Sequence, residues 1–549
     1  MPVPGDLFAP ELILVNGVFH TVDEDHPRVS AVAIRDGRFV ATGSDDEIRA
    51  LAGPTTVVED LGGAAVVPGL IDAHNHMQNT GIMLREVQLY DTRTIAEIVD
   101  RIGEGVKRAR PGEWVLGRGW DESLLAEGRH PNRHDLDAVS PDNPVVIHRV
   151  WNKLVCNSAA LRAVGIDRNT PDPPADVLYS GSFERDENGD PTGLFRDRAK
   201  DMITDNIPPY SEDQRVDGIA EGCRAYNATG LTGVAEPGLY PYEIAAYTRA
   251  RREGKLTVRT DMLIAAWGFG APESEGDLEQ NIAFIGTGGS FGDDLLRLEG
   301  VKFMIDGGMS DRTARMFEPY LDQPDHRGTW VVEPTRLVKL IRYIHDLGWP
   351  MDIHTCGDEA QEVVVGAYAD AQRDNPKPWL RHRVHHAYFP TERALERMAE
   401  AQISAVVSSP FLTHLGEGFV NSVGQERASR AMPMRTYLNA GVPLAGSSDA
   451  YITTFNPWVG MHAAVIRHTV NGTNLGQEAE ALTPEEALHS YTMGGAFAVG
   501  REDRLGSITP GKLADLVVLD RDPLAIEPAT LDQVTPTKTM LGGEWVWSA

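Results

Sequence analysis

VVPGLIDAHNHM, residues 66–77, reads as a buried strand that ends in Asp-x-His-x-His. Its Val, Leu and Ile favour extended backbone, and residues two apart on a strand point to the same side. His74 and His76 can therefore offer both imidazoles to a single divalent cation. His-x-His by itself is a weak signal in a chain with 17 histidines. The buried strand after Pro-Gly and the preceding Asp72 give it weight.

Outward from this stretch the rhythm is that of parallel βα units. Short runs rich in β-branched residues alternate with helical stretches. Barrel strands are expected near Val66–Asp72, Leu231–Glu236, Val258–Ala265, Leu298–Asp306, Met351–His354, His382–His386, Ile403–Ser408 and Val442–Asp449. Eight such units make a TIM (β/α)8 barrel over residues 66–504. Both chain ends differ from this middle. Residues 1–65 alternate apolar and polar positions between Asn-Gly and Asp-Gly turns, and the texture returns in LGSITPGKLADLVVLDRDP and TKTMLGGEWVW, within 505–549. One small sheet domain assembled from both ends is the expectation. Residues 80–208 interrupt the barrel after its first strand. A βα loop leaves a barrel at the C-terminal face, so this insertion is expected to form a wall or lid over the active site.

Composition narrows the function. The 51 Lys+Arg against 80 Asp+Glu leave a net charge of −29, which repels phosphate backbones and anionic headgroups. A small-molecule substrate is expected, with no nucleic acid and no membrane partner. Cys156, Cys223 and Cys356 are too few and too scattered for a disulfide framework or a zinc knuckle. No signal peptide is apparent and no apolar run approaches a membrane span, so the expected location is the cytoplasm. A homodimer is the default assembly.

More polar side chains gather at the ends of the later strands. Lys302 lies in GVKFMIDGG, His354 in MDIHTCGD, His386 in HRVHHAY, and Asp449 closes VPLAGSSD. Each has an ordinary reading: a hydrogen-bonded structural histidine, a lysine paired to Asp306, an aspartate capping a helix. Their joint placement at the C-terminal ends of strands one, four, five, six and eight favours convergence on one site.

These pieces carry a resemblance. PGLIDAHNHM, RGWDESLL, LVCNSAAL, VKFMIDGGMSDRTA, IHTCGD, RVHHA, GSSDAY and the closing LTPEEALHSYTMGGAFAVGREDRLGSITPGKLADLVVLD are similar to the amidohydrolase superfamily. Within it they resemble the amidohydrolase-3 or YtcJ-like group, which includes N-substituted formamide deformylases. The resemblance implies a composite β-sandwich joined to a distorted (β/α)8 barrel. It implies that His74, His76 and Asp449 bind one divalent ion, that His354 and His386 bind a second, and that Lys302 bridges them as an N-carboxylated lysine. Zinc is the expected metal, as one or two ions. Glu236 is the alternative carboxylate should Lys302 be unmodified. Two departures stand out. The family commonly has Glu-His where this chain has His385-His386, and often Gly-His where it has Trp151-Asn152.

The ligand set suits hydrolysis of a carbon–nitrogen bond other than a peptide bond: an amide, N-substituted formamide, carbamate or cyclic amide. The expected chemistry is attack on the carbonyl by a metal-activated hydroxide, with Asp449 as the expected catalytic residue, a general acid/base that would pass the water proton to the departing nitrogen. A metal-dependent lyase or decarboxylase, or a metal-free scaffold, are the alternatives. Substrate-contact candidates are Trp120, Asp121, Asn152, Arg312 and His385. Cys356 reads as structural.

Overall fold

The computed structural model describes residues 9–90, 92–122, 124–149, 153–172, 181–266, 289–310 and 312–549. Two compact units partition the chain: one holds the segment up to Thr80 together with Gly222–Ala549, the other Gly81–Glu221.

In the first unit the hairpin texture of the chain ends becomes two sheets. Arg38–Gly43, Ala31–Arg35, Leu12–Val15 and Val57–Asp60 form one, in that order. The other runs Glu544–Ser548, Pro536–Leu541, Leu516–Leu519, Ala65–Pro68, Val18–His20 and Arg28–Val29, so it draws on both termini. Asp36 and Gly37 both take positive φ (52° and 70°), as a two-residue turn between right-twisted strands requires. Leu14, Phe19, Val32, Phe39, Val66, Leu516 and Met540 share one apolar core, which ties the N-terminal strands to the C-terminal ones.

The barrel follows. Its strands are β1 (Leu70–Asp72), β2 (Leu231–Leu239), β3 (Arg259–Ala265), β4 (Leu296–Met304), β5 (Met351–Thr355), β6 (Arg383–His386), β7 (Ser404–Val407) and β8 (Leu444–Gly446). Each pairs in parallel with its neighbour in sequence. The ring is nearly closed: Ala73 N donates to Gly446 O at 3.1 Å, linking the ends of β1 and β8.

One expected strand is two. Ala65–Pro68 pairs with Leu516–Leu519 in the terminal sheet, and only Leu70–Asp72 enters the barrel. The hinge is Gly69, where a Cβ would meet Thr232 Oγ1 at 2.2 Å and Asp515 Cβ at 2.8 Å. Only glycine lets the chain pass between the two sheets there.

Helices cover the strands by amphipathic pattern. Pro334–Leu347 buries Leu337, Leu340, Ile341 and Ile344, one stripe at helical spacing, and ends at Gly348 with φ 88°. Away from the strand C-termini, Arg259 of β3 makes a two-pronged ion pair with Asp515, 2.6 and 2.7 Å, which fastens the barrel to the terminal sheet.

The Gly81–Glu221 unit has its own six-stranded sheet, ordered Ser182–Arg185, Pro191–Arg196, Lys153–Cys156, Val145–Arg149, Val115–Trp120, Val87–Gln88. Helix Ile95–Arg108 packs Ile95, Ile98 and Ile102 into its core. Among the described residues no helix is long and apolar enough to cross a membrane.

Candidate metal centre

Beyond β1 the chain stays extended and is clamped on both sides. Asn75 N donates to Ala235 O (2.9 Å) and His76 N to Ala450 O (2.8 Å). Asp72 Oδ1 accepts from His74 N (3.2 Å) and Ser448 N (3.0 Å), and Oδ2 from Asn75 Nδ2 (2.8 Å). It therefore stitches the end of β1 to the segment after β8. Asp449 completes that seam: its N–H donates to His74 O at 3.0 Å, and its φ of 53° turns the carboxylate inward. Asp449 Oδ1 then stands 3.5 Å from His74 Nε2 and 3.4 Å from His76 Nε2.

Strands β5 and β6 supply the opposite wall. His354 lies beside His385 in the strand register, and His386 beside Thr355. Neighbours on a strand point to opposite faces, yet both His385 and His386 reach the site. The reason is positive φ at His386 (70°) and Ala387 (49°), which breaks the alternation. His386 Nε2 meets His354 Nδ1 at 2.9 Å. The His385 ring stacks on His74 with centroids 3.2 Å apart, and its Nε2 faces Ser408 Oγ at 3.3 Å.

Lys302 is buried, but its partner is not Asp306. Its Nζ donates to Asp352 Oδ1 at 3.0 Å and lies 3.3 Å from His385 Nδ1. Register decides this: Lys302 and Asp352 sit side by side on β4 and β5. Asp306, past the strand end, instead accepts backbone N–H groups from Arg315, Cys356 and Gly357 at 2.8–3.0 Å.

Burial sets the charges. It pushes the His74 ring down to about 3, aided by the Lys302 charge, and the His354 ring down to about 4. Both rings are neutral and keep a lone pair near pH 7. His76 goes the other way: burial disfavours its cation, but the Asp449 carboxylate outweighs it. Asp449 is held below the usual carboxylate range, burial being overcome by its bond to His76. Burial lowers the Lys302 ammonium against the pull of Asp352. Glu236, which accepts from Met77 N (2.6 Å) and Tyr247 Oη (2.8 Å), is pushed by burial up to about 7.

Do these residues fit a metal? Nitrogen and oxygen donors at about 2.0–2.1 Å around a tetrahedral ion lie about 3.3 Å from one another. The contacts of Asp449 with His74 and His76, at 3.5 and 3.4 Å, match that spacing. The chemistry of the set, two imidazoles and a carboxylate, also suits zinc. The β5–β6 side adds His354, Cys356 and His386, which each offer a donor atom within 4.8 Å of the others. His386 Nδ1 there is buried without a hydrogen-bond partner among the described residues. The donors around Asp449 fit a divalent cation, and those of β5 and β6 lie close enough together to offer further ligand atoms.

The other sequence candidates have the following local surroundings. Trp120 lies in the Gly81–Glu221 unit, fully buried, its indole N–H donating to Ile147 O at 3.2 Å. In the same unit Asp121 Oδ2 accepts from Arg149 at 3.4 Å. Asn152 lies outside the described residues. Arg312 is engaged by Asp322 at 2.8 Å. One residue at the site was not anticipated, Asp352 as a polar contact; Cys356, read from the sequence as structural, places its Sγ 3.4 Å from His354 Nε2. Asp352 sits two positions before His354, and the period-two rule applied backwards from that histidine finds it.

The profile described as Amidohydrolase family matches residues 57–547. The chain is similar to the putative amidohydrolase YtcJ of Bacillus subtilis (strain 168), 31% identical over 97% of this chain and 98% of that protein. It is equally similar to the N-substituted formamide deformylase of Arthrobacter pascens, 31% identical over 97% of each chain. Among solved structures, an uncharacterized metal-dependent hydrolase from Pyrococcus horikoshii OT3 superposes with a TM-score of 0.76. It is 26% identical, over 94% of this chain and 99% of that one.

Proposed function

The chain belongs to the amidohydrolase family, and from that premise we propose that it is a metal-dependent hydrolase of a carbon–nitrogen bond in a small amide, N-substituted formamide, carbamate or cyclic amide. The observation that carries this reading is the meeting of His74 Nε2, His76 Nε2 and Asp449 Oδ1 at ligand spacing. The similar deformylase and the archaeal metal-dependent hydrolase support it.

In this reading His74, His76 and Asp449 hold one divalent ion, zinc by donor type, and His354 and His386 offer donors for a second. Lys302, were it N-carboxylated, would add an anionic oxygen ligand to this donor set; that state needs the neutral amine, which burial favours and Asp352 opposes. With Lys302 unmodified, Glu236 is the alternative carboxylate. Such an ion, when bound, supplies Lewis acidity: it polarises the scissile carbonyl and acidifies water.

The protein's own groups do the rest. Water adds to the carbonyl carbon as its proton passes to the Asp449 carboxylate. That proton then goes to the nitrogen as the C–N bond breaks, because an unprotonated amide nitrogen is a poor leaving group. The products are an amine and the acid of the carbonyl half, which is formate for a formamide, a carbonic half-ester for a carbamate, and part of the same ring-opened molecule for a cyclic amide.

The test is a screen of N-formyl, N-acyl, carbamate and cyclic amide substrates in ¹⁸O-enriched water, before and after chelation. Metal-dependent amine release with one ¹⁸O in the acid is expected. Release of CO2 from a carboxylate without water uptake would move the assignment to a lyase.

A further inference from the structure

Asp352 is fully buried on β5, yet it touches no donor atom that closes the His76–Asp449 contact. Its two oxygens are divided between two neighbours. Oδ1 accepts from Lys302 Nζ, and Oδ2 lies 3.0 Å from Nδ1 of His74. Arg383 of β6 stands behind, its Nε 3.9 Å from Oδ2, and is itself anchored by Glu299 (2.6 Å) and by Ala498 O (2.8 Å). The carboxylate is thus held in place from below and cannot follow the imidazole if that ring turns.

An ionised carboxylate only accepts hydrogen bonds, so a ring nitrogen 3.0 Å away must carry the proton. A neutral imidazole has one N–H. Placing it on Nδ1 leaves the lone pair on Nε2, the atom that faces Asp449 at 3.5 Å. We propose that Asp352 is a positioning residue for the metal centre: it fixes His74 as the Nδ1–H tautomer and aims Nε2 at the cation. This rests on the reading of His74 as a metal ligand. A carboxylate behind a ligating histidine raises its basicity and locks its rotation, and removing such a partner costs about 10–100-fold in metal affinity.

The competing role is simple charge balance, with Asp352 present only to neutralise Lys302. The isosteric change Asp352→Asn separates the two. The amide oxygen is drawn to the Lys302 ammonium, which turns the NH2 group toward His74. Nδ1 must then accept, and the ring proton moves to Nε2, where it blocks the cation.

The experiment uses the full chain labelled with ¹⁵N-histidine, with the His74 signals assigned by their loss in His74→Gln. Long-range ¹H–¹⁵N spectra of the metal-free protein are expected to show His74 protonated at Nδ1. Zinc affinity, measured by competition with a chromophoric chelator, is expected to fall about 10–100-fold in Asp352→Asn. His74 protonated at Nε2 in the wild type would overturn the proposal, and that measurement decides alone should the variant fail to fold. So would an affinity in Asp352→Asn within threefold of wild type. A wild type that binds zinc while the variant binds it equally refutes only the role of Asp352; a wild type that binds no zinc refutes the functional reading and this inference with it.

Discussion

Asp449 Oδ1 lies 3.4 Å from His76 Nε2, although one residue follows the last barrel strand and the other the first. The contact exists because the barrel nearly closes there, through Ala73 N to Gly446 O and Asp449 N to His74 O. The same backbone contacts that close the ring bring these two side chains together.

Asp449 carries the proton in the proposed reaction, so its loss is felt in turnover. Asp449→Asn keeps the side-chain shape and two imidazoles for the metal. Its kcat is expected to fall by at least about 100-fold, in line with general acid–base contributions. Steady-state kinetics on the best substrate of the screen, beside metal analysis of the same sample, check this; near-normal turnover refutes the assignment.

Metal removal reads out on stability as well as on activity. A cation that binds only the folded chain stabilises it by about 2.7 kcal/mol at a hundredfold excess over its dissociation constant. Chelation is therefore expected to lower the melting temperature, and added zinc to restore it. A melting curve indifferent to both contradicts a metal seated between His74, His76 and Asp449.

The pair Arg259–Asp515 is nearly dry, each side chain 5% exposed. Asp515→Ala strands a buried guanidinium, at a cost of about 3–5 kcal/mol. It also removes the acceptor of Gly542 N. Denaturant unfolding should show the loss, while zinc affinity stays within a few-fold of wild type because the pair is remote from the donors.

A second histidine pair sets a pH dependence apart from the metal. His345 Nδ1 meets His382 Nε2 at 2.9 Å in the interior. Burial pushes both rings below their ordinary value, His382 further because His345 adds to it. Below about pH 6.5 the unfolded chain takes up protons that the folded rings refuse, so stability falls as pH drops. His345→Gln removes one of these groups and is expected to flatten the fall of melting temperature between about pH 6.5 and 5. An unchanged slope contradicts the neutral buried pair.

Much of this was legible in the sequence, for physical reasons that also mark the limit. His74 and His76 were readable because a buried strand imposes period two, and the eight parallel strands because apolar runs alternate with helical ones. The split at Gly69 was not, since VVPGLID is one continuous apolar run and only the pairing of Ala65–Pro68 with Leu516–Leu519 divides it. His385 and His386 were both named from the sequence, but not the backbone turn that lets strand neighbours reach one site, because positive φ at a non-glycine residue leaves no mark in the sequence. Asp352 escaped notice as a lone polar residue before His354, and pairing across β4 and β5, not chain neighbours, gives Lys302 its partner.

The central claim is that His74, His76 and Asp449 grip a divalent cation. The most direct test is an anomalous difference map from zinc-loaded crystals, recorded on both sides of the zinc edge. The account predicts a peak bounded by His74 Nε2, His76 Nε2 and the Asp449 carboxylate. A map with no peak there, or with its zinc elsewhere in the molecule, would contradict it.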